Sequence, residues 1–130
     1  MKKKNKKLAT EWLDRAKSDL QYAAAGEKET EQHHITCFLC HQAVEKALKG
    51  LAVLVNKTPK KTHNLGLLMS EAISEYKSFL ALQKDVRRLD KYYIPARYPD
   101  DMVFEFAKED AQNALTIAKH VIDLAKTEIE

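Results

Sequence analysis

At 130 residues, 45% of them hydrophobic with only three glycines and three prolines, the chain has the size of one domain and the composition of a mainly helical one, large enough to bury a core without metal or disulfide staples. Its net charge of +3 rests on Lys2, Lys3, Lys4, Lys6 and Lys7; without them 17 basic stand against 19 acidic side chains, which speaks against a folded surface that reads nucleic-acid phosphate by general basic excess. No stretch approaches the ~18–20 uninterrupted apolar residues of a membrane span, and charged, amphipathic Leu8 to Arg15 stands where a secretion signal would need an apolar core. A cytoplasmic protein with reduced cysteines is expected, without membrane association.

Residues 1–7 read as a disordered lysine-rich tail and residues 8–130 as one helical domain. The first helical pattern runs from about Leu8 to Ala25, with Trp12, Leu13, Ala16, Leu20, Ala23 and Ala24 stepping by threes and fours; Gly26 is expected to end it, leaving Glu27 to Gln32 as a polar connector. The second, from about Glu31 to Val55, carries Cys37, Cys40, Val44, Leu48, Leu51 and Val55 on one stripe. After the loop Asn56 to Lys61, Thr62 or Asn64 can cap a shorter helix through Leu65, Leu68, Met69, Ala72, Ile73 and Tyr76. A fourth pattern holds Leu82, Val86, Leu89 and Tyr93, and Asp100 or Asp101 can cap a last long helix bearing Phe104, Ala107, Ala111, Leu115, Ala118, Ile122 and Ala125. Long helices on short polar connectors pack as antiparallel neighbours, so the expected architecture is all-α, an antiparallel up-and-down helical bundle of four long helices plus one shorter helix. The alanine-rich stripes of the second and last helices allow close helix approach and leave surface for a second copy, although such a stripe more often serves simply as core.

Cys37-Phe38-Leu39-Cys40-His41 matches the form used for covalent haem attachment, but both sulfurs fall on the apolar stripe of a helix, where cysteine acts as a small hydrophobe. His34, Cys37 and His41 share a face and could begin a zinc site, yet one helix face rarely supplies four ligands and no second pair follows; neither a metal site nor a cofactor is expected. On the other side of that helix, Gln42, Glu45, Lys46 and Lys49 form a polar face, solvated in the simplest reading. Lys57, Lys60, Lys61 and His63 follow, so a phosphate could meet ammonium groups and a free helix N-terminus there. In Tyr92-Tyr93-Ile94-Pro95-Ala96-Arg97-Tyr98-Pro99-Asp100-Asp101 the prolines hold Ile94 and Tyr98 away from helical dihedrals and carry Arg97 on a stiff connector. Arg97 there either pairs with Asp100 or Asp101 in a rigid turn or holds an anion, with Tyr93 and Tyr98 as stacking surfaces.

The run Cys37 to Lys49, then Thr62-His63-Asn64-Leu65, then Tyr93-Ile94-Pro95-Ala96-Arg97-Tyr98-Pro99-Asp100 resembles the HEPN domain across essentially residues 8–130. The resemblance implies an antiparallel helical bundle, frequent homodimers, and nucleotide binding or RNA cleavage. It also implies work beside a minimal nucleotidyltransferase as a toxin–antitoxin pair, as in many stand-alone prokaryotic members. Nuclease members place a histidine after four to six intervening residues from the arginine that Arg97 matches, and here Met102, Val103 and Phe104 stand in its place. Without that imidazole the usual general acid or base is missing, unless the fold brings His63 or His120 close. The expected function is therefore binding of a nucleotide of the ATP or GTP class, or of a partner nucleotidyltransferase. Arg97, Tyr98, Asp100 and Tyr93 lead that site, Lys46, Lys49 and His63 stand second, and no residue is assigned to catalysis. Cleavage of RNA and a non-catalytic helical scaffold are the alternatives.

Overall fold

The computed structural model describes residues 3–93 and 105–130, and among them the chain forms α1 (Lys3–Thr30), α2 (His33–Leu54), α3 (Leu65–Glu75), a 3-10 segment (Lys77–Leu82), α4 (Gln83–Asp90) and α5 (Lys108–Ile129), with no strand. The all-α bundle follows from the apolar spacing, but the elements differ in length from expectation. The fourth pattern is no long helix. Tyr76 is extended at φ −133°, a 3-10 turn then drives fully buried Phe79 into the core, and α4 adds eight residues. Burying an aromatic side chain of that size contributes about 1.5–3 kcal/mol, enough to override a continuous helix over so short a stretch.

At the other end, α1 begins at Lys3, so residues 3–7 are helical where a disordered tail is expected, with the Asn5 side chain hydrogen-bonded to that of Asn56. Nor does Gly26 end α1, which continues to Thr30. The reason is tertiary: buried Glu27 accepts from Thr36 Oγ1 at 2.7 Å and meets His33 Nδ1 at 2.7 Å, so the last turn of α1 is fastened to the first turn of α2. Glu31, at φ 55°, makes the reversal instead.

Cross-contacts fix the directions. Glu27 lies against Thr36, Asp19 against Lys46 and Ala9 against Gly50, so α1 and α2 are antiparallel. A Cβ on Gly50 would stand 3.1 Å from the Ala9 carbonyl oxygen and 3.1 Å from Trp12 Cβ, so the two helices approach closely there. Lys17 reaches Glu130 at 2.9 Å, bringing the end of α5 back along α1. The core is a continuous cluster running through Leu13, Cys40, Val44, Leu48, Leu68, Val86, Leu89, Val121 and Ile129.

The end of α2 is set by chemistry that the loop composition only hinted at. Asn56 adopts the left-handed region at φ 64°, its N–H bonds to Val53 O and that of Lys57 to Ala52 O. That pairing closes the helix as glycine usually does. The chain then doubles back to α3, whose first turn is capped twice: Asn64 Oδ1 accepts from Leu67 N–H at 3.1 Å, and Asp90 Oδ1 accepts from Leu65 N–H at 3.2 Å. The free helix N-terminus expected for a phosphate is therefore occupied by two side chains. No helix among the described residues is long and apolar enough to cross a membrane.

Candidate functional site

His41, Glu45 and Lys49 follow one another at four-residue steps on α2, so they line one face of that helix and meet α3 and α4. This face is not the solvated one that the charges suggest. His41 is fully buried, and the side chains of Glu45 and Lys49 are only 6% and 11% exposed. Buried charges persist where each is paired, and here the pairing is complete around Glu45. Its Oε2 accepts from Lys49 Nζ at 3.0 Å, and its Oε1 meets His63 Nδ1 at 2.9 Å. Both carboxylate oxygens are thus fixed, and His63 is oriented from behind while its side chain stays 58% exposed.

Tyr93 packs against two imidazoles. Its ring centroid is 4.7 Å from that of His41 and 5.1 Å from that of His63, the latter pair stacked at 18°. Behind it, His41 Nε2 stands 3.0 Å from Asp90 Oδ1, the oxygen that also caps α3. Burial pushes His41 below the ordinary histidine value, and the hydrogen bond and charge of Asp90 offset this only in part. The neutral ring donates through Nε2–H to the carboxylate, and Nδ1 is left as a buried acceptor with no partner among the described residues. One carboxylate thereby ties together α2, α3 and α4 beneath the Tyr93 ring.

A second clamp stands next to the first. The Tyr92 hydroxyl donates to Asp110 Oδ1 at 2.9 Å, while Asp110 Oδ2 accepts from Ala107 N–H at 2.8 Å. Burial, then the bond to Asp110, pushes the Tyr92 phenol well up, so it stays protonated as a donor. Phe106 packs on Tyr92 at 5.5 Å and on His34 at 6.4 Å. Asp110 also explains why α5 starts at Lys108, later than the expected helix with Phe104 and Ala107 inside it: the carboxylate holds Ala107 N–H, leaving Phe106 and Ala107 outside the helix.

The residues expected to form a site are sorted by this geometry. Tyr93, His63 and Lys49 come together around Glu45. Lys46 turns to α1 and pairs with Asp19 at 2.7 Å, on the groove lined by Leu8, Glu11, Trp12 and Arg15. Arg97, Tyr98 and Asp100 lie outside the described residues. Three participants escaped the sequence reading: Glu45 as the central acceptor, His41 as a buried ring and Asp90 as the shared cap. The usable signal for the first two was the four-residue spacing of His41, Glu45 and Lys49, whereas Asp90 carries none, because its partners are 49 and 25 residues away. His34, Cys37 and His41 do not converge: His34 faces Phe106, His41 faces Asp90, and both cysteines are fully buried. Burial, with smaller contributions from Asp110 and Glu27, pushes the Cys37 thiol up to about 12, so it packs as a neutral group.

Comparison with known proteins agrees with this architecture. A protein of Methanocaldococcus jannaschii named "Putative toxin MJ1304" is 27% identical over 136 residues, covering 94% of this chain and 88% of its own. The crystal structure of TT1696 from Thermus thermophilus has a TM-score of 0.81 at 28% identity, covering 92% of this chain and 96% of that one. ST0689, an archaeal HEPN homologue, gives a TM-score of 0.75 at 25% identity, covering 94% and 98%. The HEPN domain model matches residues 9–129, nearly the whole bundle that carries the Glu45, His63 and Tyr93 cluster, and the chain belongs to the HEPN family.

Proposed function

We propose that this HEPN chain is the toxin-type member of a two-component pair, and that it engages a nucleotide-bearing ligand at the end of the bundle marked by His63 and Tyr93. A relative named as a toxin supports the first part. A single observation carries the second: His63, held by Glu45 and stacked on Tyr93, presents its ring to solvent, with Lys60 and Lys61 exposed immediately before it. Neither lysine has an ion-pair partner among the described residues, whereas Lys57 is paired with Glu75. Two ammonium groups suit phosphate, and the outer face of an aromatic stack suits a base, a contact worth about 1–3 kcal/mol. Arg97, Tyr98 and Asp100 join the proposal from the sequence, as anion anchor and flanking contacts at the connector that follows Tyr93. The second component would be a minimal nucleotidyltransferase, with a tyrosine hydroxyl of this end as its acceptor, and the chain would act as a homodimer.

The test is thermal unfolding with ATP, GTP and a single-stranded RNA, since a ligand that binds the native state raises apparent stability by about 2.7 kcal/mol at one hundred times its dissociation constant. Stabilisation by at least one of the three is expected, weakened about tenfold or more in affinity by the double substitution Lys60→Ala, Lys61→Ala and unchanged by Lys119→Ala on α5. Absence of any shift, or equal affinity in the double variant, removes the proposed site.

A further inference from the structure

On the flank of α2 that faces α1, a second feature stands apart from the His63 end. Lys7, Glu11 and Arg15 step by four along α1, with Leu8 and Trp12 stepping by four beside them, so all five share one stripe of that helix. Leu8, Glu11, Trp12 and Arg15, with Lys46 from α2, line a hollow of about 240 Å³. Leu8 is 46% exposed there, while Trp12 is partly buried against the core. The walls are fastened. Lys46 Nζ donates to Asp19 Oδ2 at 2.7 Å, and the Asn5 side chain is hydrogen-bonded to that of Asn56, which ties the start of α1 to the loop after α2.

The charges around the hollow are unequally satisfied. Lys17 and Lys46 are each taken by a carboxylate, from Glu130 and Asp19. Lys7 and Arg15 are exposed and have no ion-pair partner among the described residues. Glu11 stands four residues from each of them, a spacing at which such pairs ordinarily form, yet it bonds to neither. An apolar hollow is thus framed by two free cations, with one free carboxylate between them.

That frame selects among occupants. Pockets that enclose a small molecule usually measure about 300–1,000 Å³, so an open hollow below that range suits a side chain rather than a whole ligand. A nucleic-acid strand would bring phosphate against the Glu11 carboxylate, and like charges set together across an interface are costly. A lipid surface needs apolar side chains that project, whereas Trp12 is recessed against the core. A polypeptide meets every requirement: an apolar side chain for the hollow, carboxylates for Lys7 and Arg15, and backbone N–H groups for Glu11. We propose that the hollow lined by Leu8, Trp12 and Arg15 is a docking site for a short acidic segment of a partner protein. One apolar side chain of the segment enters over Leu8 and Trp12, and the carboxylates that flank it pair with Lys7 and Arg15. The surface is independent of the nucleotide reading, because it uses neither His63 nor Tyr93.

Trp12 is the chain's one tryptophan, so its emission reports on the hollow directly. The probe is a synthetic peptide, blocked at both ends, in which a single leucine is flanked on each side by aspartates. Titrated into the full chain at low salt, it should shift Trp12 emission to shorter wavelength in a saturable way, and the affinity should fall as salt is raised. The double substitution Lys7→Ala, Arg15→Ala should weaken binding by about three- to tenfold, the size expected for two exposed ion pairs, and Leu8→Ser should weaken it at unchanged salt dependence. Lys84→Ala on α4 should leave it unchanged. The same peptide with serine for leucine should bind more weakly, and with lysine for aspartate not at all. No emission change with the acidic peptide, equal affinity in the double variant, or an equal response to the serine or lysine peptide would overturn the proposal. So would saturation by single-stranded RNA or by phosphatidylserine vesicles where the acidic peptide has no effect, since the surface would then serve a phosphate chain or a membrane.

Discussion

Asp90 offers a single oxygen to two elements, and removing it should show how the site end of the bundle is held. Its Oδ1 stands 3.0 Å from His41 Nε2 and 3.2 Å from Leu65 N. In Asp90→Ala the fully buried His41 keeps no hydrogen bond at either nitrogen among the described residues, because Nδ1 is already without a partner there, and the first N–H of α3 loses its acceptor. Hydrogen bonds to a charged group are worth about 1.5–3 kcal/mol each. Since the Asp90 side chain is 28% exposed, solvent screening favours the lower part of that range. The expected cost of Asp90→Ala is therefore about 2–4 kcal/mol. Asp90→Asn keeps an oxygen with two lone pairs in the same place and loses only the charge, so it should cost about half as much. Urea unfolding at pH 7.5 measures both, with the slope expected to stay constant so that the midpoint reports stability. An alanine variant that loses less than about 0.5 kcal/mol, or an asparagine variant as damaged as the alanine one, would refute the account of Asp90 as a shared acceptor.

His41 predicts a pH dependence. Its folded value lies below the ordinary 6.5, because burial outweighs the attraction of Asp90 and Glu45, so the unfolded chain takes up a proton before the folded one does. Stability from this group is full above pH 6.5 and is lost as the pH falls below it toward the folded value. Unfolding free energies measured from pH 8 to pH 5 should fall less steeply in His41→Gln than in the wild type, and parallel curves would count against a neutral buried ring. The cysteines predict inertness: with the Cys37 thiol pushed up to about 12 and Cys40 raised further by burial and by its neighbour Cys37, neither should react with a disulfide reagent at pH 8 until the chain is unfolded. Rapid modification of the native protein would mean that this stretch of α2 is not packed as described.

The helical class and most of the core were legible in the chain, because a period of three to four residues in Leu13, Ala16, Val44, Leu48, Leu51, Ala118 and Ile122 specifies a buried face without reference to any partner. The string from Cys37 to Lys49 also pointed to the family, and the match over residues 9–129 agrees with it. Where helices begin and end was less legible, since those limits depend on contacts across the fold. Glu27 carries α1 past Gly26 by meeting His33 and Thr36, Phe79 breaks the fourth pattern by entering the core, and Asp110 delays α5 by holding Ala107. Within the candidate site, local sequence named Lys49, His63 and Tyr93 but treated Glu45 as one more charge on a wet face. Only the tertiary structure could bury that carboxylate and turn Lys46 away from it, because the position of α3 decides which side of α2 is covered. Periodicity determines that a face is buried; the partner laid against it determines which polar groups are buried with it, and it is those groups that make this end of the bundle chemically distinct.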